Sequence, residues 1–166
     1  MKKALLVFAL ALSVAPVTQA AGHVLPARGE LAPGLNLAGI RIGDSVARVT
    51  QVWGTNYTVC GECKTTTWYF FYPTAEPLGA AVKFRSGHVV AAFTLGSPTG
   101  WHTREGLLMG DEAYNISQLY GQLVPHACIG YGALSMRKGN TVTSIYTTGE
   151  SVYGFAITAP AEPVCQ

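Results

Sequence analysis

The amino-acid sequence predicts an α+β fold of two tandem repeats, each a short helix packed on a small antiparallel sheet. A repeated pattern is the first observation behind this: GDSVARVTQVWG at residues 43–54 returns 67 positions later as GDEAYNISQLYG at residues 110–121. Strand-like runs bounded by turn residues follow each copy. The composition agrees, with 19 Gly, only 12% charged residues and abundant Thr, Tyr and Val, a usage that suits pleated sheet better than a helical bundle.

Within the two copies, Val46/Ala113, Val49/Ile116, Val52/Leu119 and Trp53/Tyr120 recur in register. Apolar side chains at i, i+3, i+6 and i+7 line one face of a helix. Asp44 and Asp111 stand where an N-cap carboxylate would accept bonds from otherwise orphan amides. Gly54 and Gly121 fit the position after the last turn, where a left-handed backbone suits glycine. Each copy is therefore expected to open with an amphipathic helix of about three turns.

Strands are expected next. In the first copy TTTWYFF, GAAVKFR and HVVAAFTL are separated by the turn signals PTAEP and SG; in the second YGALSMR, TVTSIYT and SVYGFAIT are separated by KGN and TGE. Towards their ends the copies realign at Gly87/Gly149, Phe93/Phe155 and Pro98/Pro160. The repeats are placed at residues 39–98 and 99–160, with an irregular N-terminal arm at 21–38 and a disulfide-tethered tail at 161–166. Trp101, between the repeats, reads as a core plug. Neither repeat alone would bury much core, so the two are expected to share one.

Residues 1–20, MKKALLVFALALSVAPVTQA, read as a signal peptide. Lys2 and Lys3 precede an apolar stretch too short to span a bilayer, and Thr18-Gln19-Ala20 suits cleavage. No cysteine follows the cut for a lipid anchor, and no later apolar run reaches the roughly 18 residues of a spanning helix. The expectation is a bacterial protein, periplasmic or secreted, without a membrane anchor. Removing Lys2 and Lys3 from 11 basic residues leaves 9, against 9 acidic ones. A near-neutral chain lacks the clustered basic surface that nucleic acid requires.

The four cysteines, Cys60, Cys63, Cys128 and Cys165, form an even set in an exported chain and suggest two disulfides with three possible connectivities. Cys60–Cys63 with Cys128–Cys165 is favoured. The first would close the CGEC turn, and the second would hold the Pro-rich tail onto the body.

The paired Gly-Asp helix motifs, each ending in Trp-Gly or Tyr-Gly and followed by a cysteine and strands, resemble the tandem repeats of β-lactamase inhibitory proteins. The helix-opening motif alone is also similar to small outer-membrane lipoproteins of the BamE type. The resemblance covers roughly residues 39–160 and implies a non-catalytic inhibitor or accessory built on two helix-and-sheet units.

The aromatic run 68–72 suggests where binding would occur. Side chains alternate across a strand, so a helix-covered sheet hides one set and shows the other. Ala80, Val82 and Phe84 read as inward, placing Lys83 and Arg85 outward; Val89, Phe93 and Leu95 likewise read as inward. Aromatic and Arg side chains dominate interface hot spots. The run leaves open which alternate aromatic set is shown; the candidate contacts are Trp68, Phe70, Tyr72, Lys83 and Arg85, with Tyr131 and Arg137 as counterparts in the second repeat. The expected partner is another protein, bound as an inhibitor, immunity factor or envelope accessory would bind, with no catalysis, cofactor or metal.

Three chemical readings compete. Cys60/Cys63 could act in thiol–disulfide exchange, but a reactive C-x-x-C sits at a helix N-terminus and here a strand is expected to follow. A zinc site from Cys60, Cys63, His126 and Cys128 would leave Cys165 unpaired in an oxidising compartment. Ser135-Met136-Arg137-Lys138 matches S-x-x-K, yet on a strand Ser135 and Lys138 point to opposite faces and cannot cooperate.

Overall fold

The computed structural model describes residues 25–70 and 79–166. The chain runs through β1 (Glu30–Ala32), β2 (Asn36–Leu37), α1 (Val46–Trp53), β3 (Tyr57–Val59), β4 (Thr66–Phe70), β5 (Gly79–Arg85) and β6 (His88–Leu95). It continues through β7 (His102–Thr103), α2 (Tyr114–Tyr120), β8 (Val124–Ala127), β9 (Gly132–Lys138), β10 (Thr141–Thr148) and β11 (Ser151–Thr158). The signal-peptide expectation falls outside the described residues.

Eight strands make one continuous antiparallel sheet in the order β3-β4-β5-β6-β11-β10-β9-β8. This corrects the expected fold class. The protein is mostly β, with two helices of 8 and 7 residues against a single large sheet, and not two tandem helix-on-small-sheet units. The cause is the β6–β11 pairing, which runs from Leu95↔Gly154 to Ala91↔Thr158 and zips what would have been two sheet edges into one ladder. Gly154 permits it: a Cβ there would collide with the carbonyl oxygen of Thr94.

The recurring Gly-Asp pair has a local role. In one copy the Gly43 amide donates to the Val89 carbonyl and the Val89 amide to the Asp44 carbonyl; in the other, Gly110, Val152 and Asp111 make the same two bonds, all at 2.8 Å. Each pair staples the turn before a helix to a sheet strand, and both glycines sit at φ 89°, where a side chain would be strained. The aspartates are not helix N-caps as expected. Their carboxylates close the preceding turns, Asp44 accepting from the Arg41 amide and Asp111 from the Leu108 amide, both at 2.8 Å. Ser45 caps α1, accepting from the Arg48 amide at 3.2 Å, and α2 has no side-chain cap. Both helices are correspondingly shorter than the three turns expected.

The arm is not irregular throughout. β1 pairs with β2 and, in parallel, with β7, aligning Glu30 with His102 and Leu31 with Thr103. The segment between the two halves is thereby knitted to the arm. Beneath it lies the main core, where Trp53, Phe70, Trp101, Ile145 and Phe155 are fully buried on the helix side of the sheet. A second cluster of Ala81, Phe93, Leu95, Ala133, Tyr146 and Ala156 occupies the opposite face.

The expectation that Val89, Phe93 and Leu95 share one face fails at a β-bulge. The β5–β6 register shifts between Lys83 and Phe84, so Val90 is an extra residue that reverses the alternation. Val89 and Ala92 join the helix-side core, whereas Phe93 and Leu95 join the other cluster.

Candidate functional site

The face opposite the helices is crossed by residues 159–166. The Ala159 amide donates to the Val90 carbonyl at 2.8 Å, beside the end of β6 that faces Arg85. Val164 packs into the second cluster, and its carbonyl accepts the Tyr146 hydroxyl at 2.8 Å. The Cys128–Cys165 disulfide then ties the segment to the β8–β9 hairpin. Beside it, the Tyr131 hydroxyl donates to the Gln166 main-chain oxygen and accepts from the Gln166 amide, both at 2.8 Å.

At the tip of that hairpin, between Cys128 and Gly130, Ile129 is 100% exposed. Gly130 turns the chain at φ 82°. A cleft of about 340 Å³ opens next to the tip, lined by Leu95, Ile129, Tyr131, Thr148, Tyr153 and Gln166. Tyr131 meets Tyr146 edge-to-face at 5.2 Å and lies 6.3 Å from Tyr153. Burial pushes the Tyr146 hydroxyl well above its usual pKa, with Tyr131 adding to the shift. Burial also raises Tyr131, Tyr153 adding to the effect and the Gln166 bond opposing it. Both remain neutral O–H groups at physiological pH. The result is an apolar projection beside a tyrosine-lined depression.

The sequence-predicted contacts scatter. Trp68 and Phe70 are core residues, 8% and 0% exposed, because their strand parity turns them towards the helices. Trp68 stacks on Tyr57 at 3.7 Å and meets the edge of Phe84 at 4.8 Å. Neither can form a binding face, and Tyr72 lies outside the described residues. Lys83 and Arg85 do lie on the open side, but Arg85 is engaged: its Nη2 stands 2.5 Å from Glu162 Oε1 in residues 159–166. That contact is an ion pair off the hydrogen-bonding axis, since Oε1 makes no directed hydrogen bond. The Lys83 ammonium lies 5.6 Å from the centroid of the Phe93 ring; burial lowers its pKa, against an opposing pull from Glu162. Tyr131 is in the cleft. Arg137 is exposed at the β9–β10 turn, its Nε donating to the Gly139 carbonyl at 3.1 Å.

Both disulfides are closed, Cys60–Cys63 with Cα atoms 5.6 Å apart and Cys128–Cys165 with 5.5 Å. Such bridges belong to proteins that fold in an oxidising, extracytoplasmic compartment. The CGEC bridge leads into β4 and not into a helix, so the setting that activates a redox C-x-x-C is missing there. Among the described residues no group of three or more His, Cys, Asp or Glu side chains could hold a metal ion. Ser135 bonds His126 Nε2 at 2.8 Å on the open side of the sheet, away from Lys138.

Sequence reasoning missed Ile129 and Glu162. Ile129 carried a signal: an isolated apolar residue between Cys128 and Gly130, in the break between two strands. Glu162 carried none beyond its place in the tail.

No family model and no curated protein matches the chain. The fold is similar to part of an extracellular protein containing a SCP domain from Bacillus anthracis, with a TM-score of 0.51 and 8% identity over 72% of this chain and 44% of that one. A cysteine-rich secretory protein from Staphylococcus aureus matches at a TM-score of 0.47 and 12% identity, over 72% of this chain and 43% of that one. This chain thus spans less than half the length of either structure. The likeness to the SCP-containing protein corrects the expected resemblance to β-lactamase inhibitory proteins and to BamE-type lipoproteins. At such identity the likeness is one of fold, and the chain is a disulfide-bonded, mostly β protein.

Proposed function

We propose that the protein is a non-catalytic binding module of the bacterial envelope, periplasmic or secreted, that holds another protein through the β8–β9 hairpin tip and the adjoining tyrosine cleft. The observation that carries this reading is the full exposure of Ile129 on a tip pinned by Cys128–Cys165. An apolar side chain presented to water by a fixed loop is poised to be buried by a partner, gaining about 1.5–3 kcal/mol. The disulfide and the Tyr131–Gln166 bonds hold the loop in shape beforehand, which lowers the ordering cost of association. Leu95, Tyr131 and Tyr153 supply the aromatic and aliphatic surround typical of an interface centre. An inhibitor, immunity factor or envelope accessory would use such a surface.

The test is affinity capture from a bacterial envelope extract with three oxidised baits: wild type, Ile129→Asp and Arg137→Glu. A protein retained by wild type and Arg137→Glu and lost with Ile129→Asp supports the site. Equal retention by Ile129→Asp, at an unchanged thermal midpoint, removes it.

A further inference from the structure

The segment 159–166 occupies its face as a ligand would. Glu162 is its one acidic residue, and its side chain is 5% exposed. It reaches Arg85 at 2.5 Å, and Lys83 stands two positions earlier on the same face of β5. Arg85 keeps 58% of its side-chain surface, which leaves it able to receive a second acidic group. On the same face, the hydroxyls of Ser144 and Thr158 are fully buried, yet make no hydrogen bond among the described residues. Buried hydroxyls without partners are uncommon, because each forfeits its hydration for nothing. Here they leave unmet polar groups on the face that the segment crosses. The remaining polar contacts lie at the far end, where Tyr146 and Tyr131 bond main-chain groups of Val164 and Gln166. The segment turns at Ala159–Glu162, where the Glu162 amide donates to the Ala159 carbonyl at 2.9 Å, so main-chain recognition by tyrosines together with side-chain recognition by Arg85 reads a short, turn-containing acidic segment. The Cys128–Cys165 bond holds the occupant in place.

We infer that residues 159–166 are a tethered occupant of a binding strip on the open sheet face, and that once Cys128–Cys165 is opened this strip takes a short acidic segment of a partner in their place. Opening is thiol–disulfide exchange with an external dithiol. Two electrons and two protons pass to the sulfurs of Cys128 and Cys165, each becoming a thiol, and the dithiol closes to its own disulfide. Bound in cis, the segment competes at an effective concentration in the millimolar range, so the bridge and Glu162 together keep the strip closed. The inference does not depend on the hairpin-tip reading, since Ile129 takes no part in it.

The experiment uses the full chain in two forms: oxidised wild type, and a variant carrying Cys128→Ser, Cys165→Ser and Glu162→Gln, whose own segment is both untethered and uncharged. The probe is a fluorescent peptide of residues 159–166 with serine in place of the cysteine, followed by anisotropy, alongside the same peptide with glutamine in place of its glutamate. The expected result is no saturable binding to oxidised wild type, binding to the opened chain, and at least tenfold weaker binding of the glutamine peptide. Adding Arg85→Glu to the opened chain should abolish binding. Equal binding of the two peptides, or indifference to Arg85→Glu, overturns the inference. So does an opened chain that binds neither peptide while amide exchange shows residues 159–166 released. Should the variant not fold, the wild type treated with dithiothreitol opens the same bond without substitution. Under those conditions, segment amides that stay as protected as before reduction also overturn it.

Discussion

Trp53 of α1 and Trp101 of the segment between the two halves meet edge-to-face, their ring centroids 5.4 Å apart and both side chains fully buried. Trp53 donates its indole N–H to the Ala38 carbonyl at 3.0 Å, and Trp101 donates to the Pro26 carbonyl at 2.8 Å. The pair thus joins the first helix, the arm and the middle of the chain. Truncating a large buried aromatic removes its transfer energy and leaves a cavity, so Trp101→Ala should cost about 3–5 kcal/mol in urea unfolding. Trp101→Phe, which keeps most of the ring contact and loses the N–H bond, should cost less. A loss below about 1 kcal/mol for the alanine variant would show that this junction is not a core element.

The two disulfides should contribute unequally. Cys60–Cys63 spans a sequence separation of 3 and Cys128–Cys165 one of 37. Chain-entropy arithmetic gives about 2 kcal/mol for the short loop and about 4 kcal/mol for the long one. Paired serine substitutions, compared by chemical denaturation, should therefore destabilise more at 128/165 than at 60/63. The reverse order would mean that the Cys128–Cys165 loop is already constrained in the unfolded chain.

Alkaline pH should unfold the protein through its tyrosines. Burial raises the Tyr146 pKa well above the usual value and raises Tyr131 and Tyr120 as well; in Tyr120 the bond to Glu105 adds to the effect. In the unfolded chain these hydroxyls release protons near pH 10 while the folded ones keep theirs, so the unfolded state binds fewer protons there. Stability is accordingly complete below about pH 10 and falls as the pH rises beyond it. Tyr146→Phe loses the bond to Val164 but should flatten that fall, as read from denaturation midpoints between pH 8 and 11.5. An unchanged slope in the variant would assign the alkaline loss to other groups.

The centre of the sheet should be intolerant of a single methyl group. At Gly154, a Cβ would strike the Thr94 carbonyl where β6 and β11 join. Gly154→Ala should destabilise by about 1–3 kcal/mol, because neither backbone can withdraw without breaking ladder bonds. Gly139→Ala, at a turn with open space around its Cα, should cost about 1 kcal/mol or less from its positive φ alone. Equal costs at the two positions would contradict the close approach.

What could be read from the sequence follows from how far each signal reaches. Helix positions, the order of strands and the even cysteine set are local or compositional, and the Gly-Asp turns announce themselves by repetition. The joining of strands into one eight-stranded sheet depends on β6–β11 pairing between residues about 60 apart, which no local pattern encodes. The aromatic run 68–72 shows that two faces exist without showing which one the helices cover, so the inward placement of Trp68 and Phe70 is visible only in the fold. The bulge at Val90 then reversed the parity that placed Phe93 and Leu95. Residues 161–166 read as a tethered tail, but that the chain there reaches Arg85 is a tertiary fact, carried by Glu162 and by the Ala159–Val90 bond.

Photocrosslinking from defined positions decides whether the hairpin tip is the contact surface. A benzophenone amino acid would replace Ile129 in one oxidised chain and Val59, 53% exposed on β3 at the opposite sheet edge, in another. Each would be irradiated in envelope extract. The account predicts a discrete crosslinked protein from position 129, absent from position 59 and suppressed by Tyr131→Ala. Equal products from both positions, or a discrete product only from 59, would contradict it.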